Sequence, residues 1–236
     1  MDPFRWFFNG AIRVGLGILC RIDAKEIKKI PRTGPLIIYS NHTGSIEVPL
    51  VFVLLQPRPL IGLAKVETWD NAFMAWLFNL WGAIPIRRGE ADMDAMRKAL
   101  DSLKAGNILG ISPEGTRNQN GKLLKAHPGI VALAIHSGAP IIPLAHWGGE
   151  EFKNNLKVLK RTDFHVRVGN PFMIHTKGEK LDKNTRQKIV DEMMFQLASM
   201  LPSEYRGEYS DLSKKSTEYI KNSDDLQLIS EMTRLD

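Results

Sequence analysis

A histidine and a glutamate stand five positions apart in NHTGSIEVP, residues 41–49, directly after the apolar run Leu36–Tyr39. An imidazole can take a proton near neutral pH, and a carboxylate against its other nitrogen fixes the tautomer and stabilises the imidazolium. His42 and Glu47 are therefore a candidate base and partner, and no serine or cysteine nucleophile is required if the substrate brings its own hydroxyl. The same residues also suit a helix start, with Asn or His as cap and an early Glu favoured by the helix dipole. A second group is PEGTR, residues 113–117. There Gly115 lets backbone approach an anion, Thr116 offers a hydroxyl, Arg117 can fork onto a phosphate, and Glu114 can accept from a substrate hydroxyl or hold an arginine. Pro-Glu-Gly is equally a good turn. Arg87 and Arg88 close the run GAIPIRR and can hold a second anionic group or be solvated.

Positioning these groups requires strands that end at them. Short apolar runs at Leu36–Tyr39, Leu60–Ala64, Ala83–Ile86, Ile108–Ile111, Ile141–Ala145 and Phe164–Val168 read as strands. Between them lie helical patterns. Met93, Met96, Leu100 and Leu103 follow Asp92, a cap, and stop at Gly106; Ile130–His136 stops at Gly138; Ile189, Val190, Met193, Met194, Leu197 and Leu201 mark a late amphipathic helix. Val48–Leu55 and Phe73–Leu80 are helices apolar enough for core packing, for an acyl-chain tunnel or for a membrane-facing surface. Strands alternating with helices predict an α/β fold, a single domain with a mostly buried central sheet flanked by helices. Three parts are expected: an apolar N-terminal helical segment over 1–30, the catalytic domain over 31–202, and a loosely attached polar tail over 203–236.

The single cysteine, Cys20, excludes an intrachain disulfide and a multi-cysteine zinc site. Residues 203–236 carry five Lys/Arg against eight Asp/Glu, so residues 1–202 carry a formal +9 against +6 for the whole chain. A basic body favours an anionic partner: nucleic acid, a membrane surface or a phosphorylated molecule. The basic stretch Lys25–Arg32 belongs to no nucleic-acid recognition module, so no nucleic-acid partner is expected. Asn9 and Arg13 interrupt the apolar N-terminus before it reaches the roughly 20 residues a spanning helix needs. It reads instead as a helix in the lipid interface, with Trp6, Phe7 and Phe8 inserted and Arg5 and Arg13 near headgroups, or as a first helix packed on the core. A serine-hydrolase elbow is missing, since Gly110-Ile111-Ser112-Pro113-Glu114 lacks the final glycine.

In order, the chain presents Asn41-His42-x4-Glu47, then Gly82-Ala83-Ile84-Pro85-Ile86-Arg87, then Pro113-Glu114-Gly115-Thr116-Arg117, then Ile141-Ile142-Pro143-Leu144. This resembles the four ordered motif blocks of the glycerolipid acyltransferase family, over roughly Leu36–Val168. The resemblance implies that His42 is the base and Glu47 its partner. It implies that Arg87, Glu114, Gly115, Thr116, Arg117 and Lys65 hold a glycerol phosphate, and that Pro143 shapes the acyl-donor side. The implied reaction moves a fatty acyl group from acyl-CoA or acyl-carrier protein to the free hydroxyl of 1-acyl-glycerol-3-phosphate, making phosphatidic acid for phospholipid biosynthesis. No metal and no cofactor beyond that co-substrate are implied. Its partners would be lysophospholipid, acyl thioester and a membrane surface, with the protein peripheral or monotopic on the cytoplasmic face of the cell membrane. The alternatives are another lyso-acceptor or sugar, a thioesterase, or a catalytically silent membrane-binding protein. The chain departs from the family pattern at Glu47, where aspartate is usual, at Gly44, where serine is usual (Ser45 comes one place later), at Pro85, where an aromatic is common, and at Ser112, where phenylalanine is frequent.

Overall fold

The structure is a computed structural model that describes residues 3–44, 46–89, 92–118, 120–176, 178 and 181–222; Ser45 and residues 223–236 lie outside it. The α/β expectation holds. Strands β1 (Cys20–Asp23), β2 (Leu36–Ser40), β3 (Leu60–Lys65), β4 (Ile84–Ile86), β5 (Ile108–Ile111), β6 (Ile141–Trp147), β7 (Thr162–Val168), β8 (Phe172–Ile174) and β9 (Ile220–Asn222) form one sheet. Its order is β1-β7-β6-β2-β5-β3-β4, with β8 pairing β6 and β9. From β6 to β4 every neighbour along this order is parallel, whereas β7 runs antiparallel to β6.

Parallel strands covered on both faces read as continuous apolar runs, which is why β2, β5 and β6 were legible. Their period-2 alternation divides two cores. Ile37 and Tyr39 point to the layer containing α4 (Met93–Lys104), α5 (Gly129–Ser137) and α7 (Lys183–Met200). Leu36 and Ile38 point to the layer with α1 (Pro3–Leu19) and α2 (Glu47–Leu54). α7 buries Ile189, Val190, Met193, Met194 and Leu197 completely, as its pattern predicts, and the buried Tyr39 hydroxyl donates to the Met193 carbonyl at 2.7 Å. Asp92 caps α4 by accepting from the Ala95 N–H at 3.0 Å. The buried stripe of α4 is Ala95, Ala99 and Leu103, rotated from the expected one, and leaves Met93 in solvent.

The expected boundaries at both ends are corrected. β1 and a following 3-10 turn, Lys25–Lys29, lie within residues 1–30 and join the sheet through β7, so no boundary falls at residue 30. β1 escaped notice because its polar residues Arg21 and Asp23 belong to an edge strand. From Ser203 to Asn222 the chain is a strap rather than a loose tail. Tyr209 and Tyr219 are buried, β9 pairs β8, and Glu192 of α7 accepts from the backbone N–H groups of Glu218 and Tyr219.

α1 buries only a narrow stripe of Asn9, Leu16 and part of Ile12, with Asn9 accepting from the Trp81 indole at 3.2 Å. Trp6 (70% exposed), Phe7, Val14 and Ile18 face outward. Arg5 departs from expectation: its guanidinium lies over the Phe52 ring, 5.6 Å from the centroid. Among the described residues no helix is long and apolar enough to cross a membrane.

Candidate active site

Tyr39 of β2 pairs with Ile111 of β5, so the loops leaving these strands emerge side by side at the carboxyl edge of the parallel sheet, where such folds hold ligands. Asn41 is buried and spends its side chain on structure. Its amide donates to the His146 carbonyl at 2.7 Å and its oxygen accepts the His146 N–H at 3.0 Å. The His146 ring returns a third bond, Nε2–H to the Asn41 carbonyl at 2.7 Å. This clamp ties the end of β2 to the end of β6 and fixes where His42 begins.

Glu47 opens α2, and the short loop before it folds its carboxylate back so that His42 Nδ1 donates to Oε1 at 2.8 Å. Glu47 is 3% exposed and His42 more open. Burial pushes the Glu47 pKa up, but the His42 hydrogen bond and the fields of His146 and His42 outweigh it and hold the group at about 2. Glu47 is thus ionised at neutral pH. The Nδ1 proton is committed to it, which leaves Nε2 as the basic nitrogen. The longer side chain of glutamate fits beside Gly44, where an added Cβ would already stand 3.4 Å from Oε2.

His42 and Glu47 line a cavity of about 510 Å³. Lys65, Arg88, Arg117 and Thr116 line it too, as do the apolar side chains of Ile38, Val51, Leu60, Met74 and Phe78. Gly110 keeps the floor low, since a Cβ there would meet Leu60 Cδ1 at 3.0 Å. The greasy helix α3 (Ala72–Trp81) therefore divides its residues three ways. Trp81 goes to the core, Met74 and Phe78 to the cavity, and Phe73 and Trp76 to the outside.

Four residues expected around the substrate lie elsewhere. Glu114 is 2% exposed, and both its oxygens are occupied by backbone: Oε1 accepts from His42 N–H at 2.9 Å and Oε2 from Leu124 N–H at 2.8 Å. Burial raises its pKa to about 7 against these bonds. Gly115 serves the turn, with φ at +68°, its N–H on the Ser112 carbonyl and the His127 ring where a side chain would go. Pro143 lies within β6 and borders a separate small pocket with Gly169 and Met200. Arg87 is replaced at the cavity by its neighbour Arg88. β4 ends at Ile86 beside Lys65, and the turn that follows brings residue 88, not 87, to the cavity. Partial desolvation lowers the Arg88 pKa, with Glu67 opposing and Arg117 adding to the effect, so the two guanidinium groups share one field. Sequence reasoning also missed His146 and Glu67, both of which line the cavity. Arg88 was already offered beside Arg87 by the run GAIPIRR, whereas His146 depended on the β2–β6 register.

The family model described as Acyltransferase matches residues 21–147. The 1-acyl-sn-glycerol-3-phosphate acyltransferase of Bacillus subtilis (strain 168) is 26% identical over 165 residues, covering 70% of this chain and 80% of that one. The lyso-ornithine lipid O-acyltransferase of Pseudomonas aeruginosa is 31% identical over 134 residues, 55% of this chain and 50% of that one. The chain spans about half the length of several curated relatives it matches. Among solved structures, the 1-acyl-sn-glycerophosphate acyltransferase PlsC from Thermotoga maritima has the same fold, with a TM-score of 0.58 at 21% identity, covering 80% of this chain and 77% of that one.

Proposed function

The chain belongs to the acyltransferase family, and from that premise we propose that it moves a fatty acyl group from acyl-CoA or acyl-carrier protein to the free hydroxyl of 1-acyl-glycerol-3-phosphate. One observation carries this reading: a histidine held by an ionised carboxylate faces a cavity lined by both cationic and apolar side chains. Lys65, Arg88, Arg117 and the Thr116 hydroxyl suit a phosphate, and the apolar walls suit acyl chains. His42 Nε2 takes the acceptor's hydroxyl proton as the oxygen attacks the thioester carbonyl carbon. The C–S bond then breaks, and the thiolate leaves with the proton returned by the imidazolium, giving an ester and a free thiol. Glu47 supports the charged ring throughout. General-base assistance supplies about 10²- to 10⁴-fold in rate, and orientation by the phosphate grip supplies much of the rest. The reaction calls for no metal or redox group.

The product has two acyl chains and stays in a bilayer, so the enzyme works at a membrane surface. Trp6, Phe7, Val14 and Ile18 of α1 together with Phe73 and Trp76 of α3 form the face that meets it, joined by the edge-on contact of Phe8 with Trp76 at 5.0 Å. The net positive body favours an anionic leaflet such as the cytoplasmic one. A second acceptor class has one observation in its favour: Glu67 shares the cavity with Arg88, which suits a lyso-lipid whose headgroup also carries an amine.

The test is mass spectrometry of products after purified protein meets mixed acyl thioesters and a panel of lyso-acceptors. Acylated lysophosphatidate as the main product is the expected result. Thioester loss unaffected by any acceptor would replace the reading with a thioesterase.

A further inference from the structure

Beyond the motif blocks, the strap after α7 turns back over the loop that carries Arg117. Its residues 205–208 grip Leu123 from both sides of the peptide: Leu123 N–H donates to the Tyr205 carbonyl at 2.9 Å and Glu208 N–H to the Leu123 carbonyl at 3.1 Å. Gly207, at φ +49°, lies so close that a Cβ there would come within 2.1 Å of the Leu123 oxygen. The Tyr205 ring covers Gly121, where a Cβ would meet it at 2.8 Å, and its hydroxyl donates to Glu150 at 2.5 Å. One turn later the Tyr209 hydroxyl accepts from Ala126 N–H at 3.1 Å and donates to Asp191 of α7 at 3.0 Å. The strap's far end is anchored on the buried Glu192, which accepts from the Ser216 hydroxyl and the backbone of Glu218 and Tyr219.

The grip reaches the chemistry in three further bonds. Leu124, next to the gripped residue, donates to Glu114, whose other oxygen holds the backbone of His42; Asn118, next to Arg117, donates to the His42 carbonyl at 2.9 Å. We infer that the near end of the strap, residues 205–208, is a positioning element of the catalytic site, with Tyr205 and Gly207 acting through Leu123, Leu124 and Glu114 to hold His42 and Arg117 in register. As a role in catalysis this rests on the acyl-transfer reading above, although the mechanical coupling does not. The physical reason is that the described residues between β5 and α5 form neither helix nor strand, so beyond a few turn bonds of the loop's own, backbone bonds from outside hold it in place.

The test uses the full chain and reads amide hydrogen exchange alongside kinetics. In Gly207→Ala, exchange at the amides of Leu124 and His42 should quicken with that of Glu208, by about tenfold or more. In protein of unchanged folded fraction, KM for lysophosphatidate should rise and kcat should fall by a similar factor of about ten, as expected for misplacement on the ångström scale. Ser216→Ala loosens only the far anchor and serves as the control for lost stability; His42 exchange and both constants should stay within about twofold. Should Gly207→Ala fail to fold, Tyr205→Ala removes the ring over Gly121 without inserting an atom and takes the same readouts. Faster exchange confined to the strap, with His42 still protected, overturns the inference. Exchange is read without turnover, so an inactive wild-type chain would sink the acyl-transfer reading and leave this test intact.

Discussion

Glu114 joins two loops through its two oxygens, 2.9 Å from the backbone nitrogen of His42 and 2.8 Å from that of Leu124. A residue expected beside the substrate is thus a buried brace for the backbone of His42. Glu114→Gln keeps one acceptor but turns an NH₂ group toward the other amide, so kcat should fall while KM for the phosphorylated acceptor moves little. Arg117→Ala and Arg88→Ala should do the reverse and raise KM. Steady-state kinetics on the three variants checks the split; a raised KM in Glu114→Gln with kcat intact would return that residue to the substrate.

Removing the imidazole should be far more severe. His42→Ala should lower kcat by about 10²- to 10⁴-fold with the fold retained. Glu47→Gln keeps the volume but loses the charge that stabilises the imidazolium, so its kcat should fall and the acid limb of its pH–rate profile should shift. Near-normal turnover in His42→Ala, measured by release of free thiol, would contradict its assignment as base.

Stability should respond to pH through two carboxylates of opposite sign. Glu47 is depressed to about 2, so its stabilising contribution is complete above the ordinary carboxylate range and is lost as pH falls toward 2. Glu114 is raised to about 7, so the cost of burying its charge is absent below about pH 4.5, grows as pH rises, and is complete above 7, where it amounts to about 3 kcal/mol. Urea unfolding at pH 5 and pH 8 should therefore show the Glu114→Gln protein losing less stability over that interval than wild type. Equal slopes would mean that Glu114 titrates normally.

Membrane binding should be separable from folding. Trp6, Phe7, Phe73 and Trp76 are exposed, so replacing all four with serine should leave thermal unfolding nearly unchanged while sharply reducing sedimentation with anionic vesicles. Deleting α1 is a poorer test, because Asn9 and Leu16 are buried. Undiminished vesicle binding by the fourfold variant would locate the membrane contact elsewhere.

The amino-acid order was enough for the local features of this protein. Apolar runs such as Leu36–Tyr39 must be buried strands, Asp92 starts one helix and Gly138 stops another wherever those helices pack, and the four residues between His42 and Glu47 are enough for a loop that folds back. Each depends on neighbours along the chain. The roles of Arg88, Glu114 and His146, and the strap that grips Leu123, depend on contacts between residues far apart in sequence. Such contacts exist only once parallel pairing fixes which strand ends lie side by side. Arg88 reaches the cavity through the turn after β4, and burial of both oxygens of Glu114 follows from two loops meeting. Those choices belong to the sheet as a whole, so only the tertiary structure could make them.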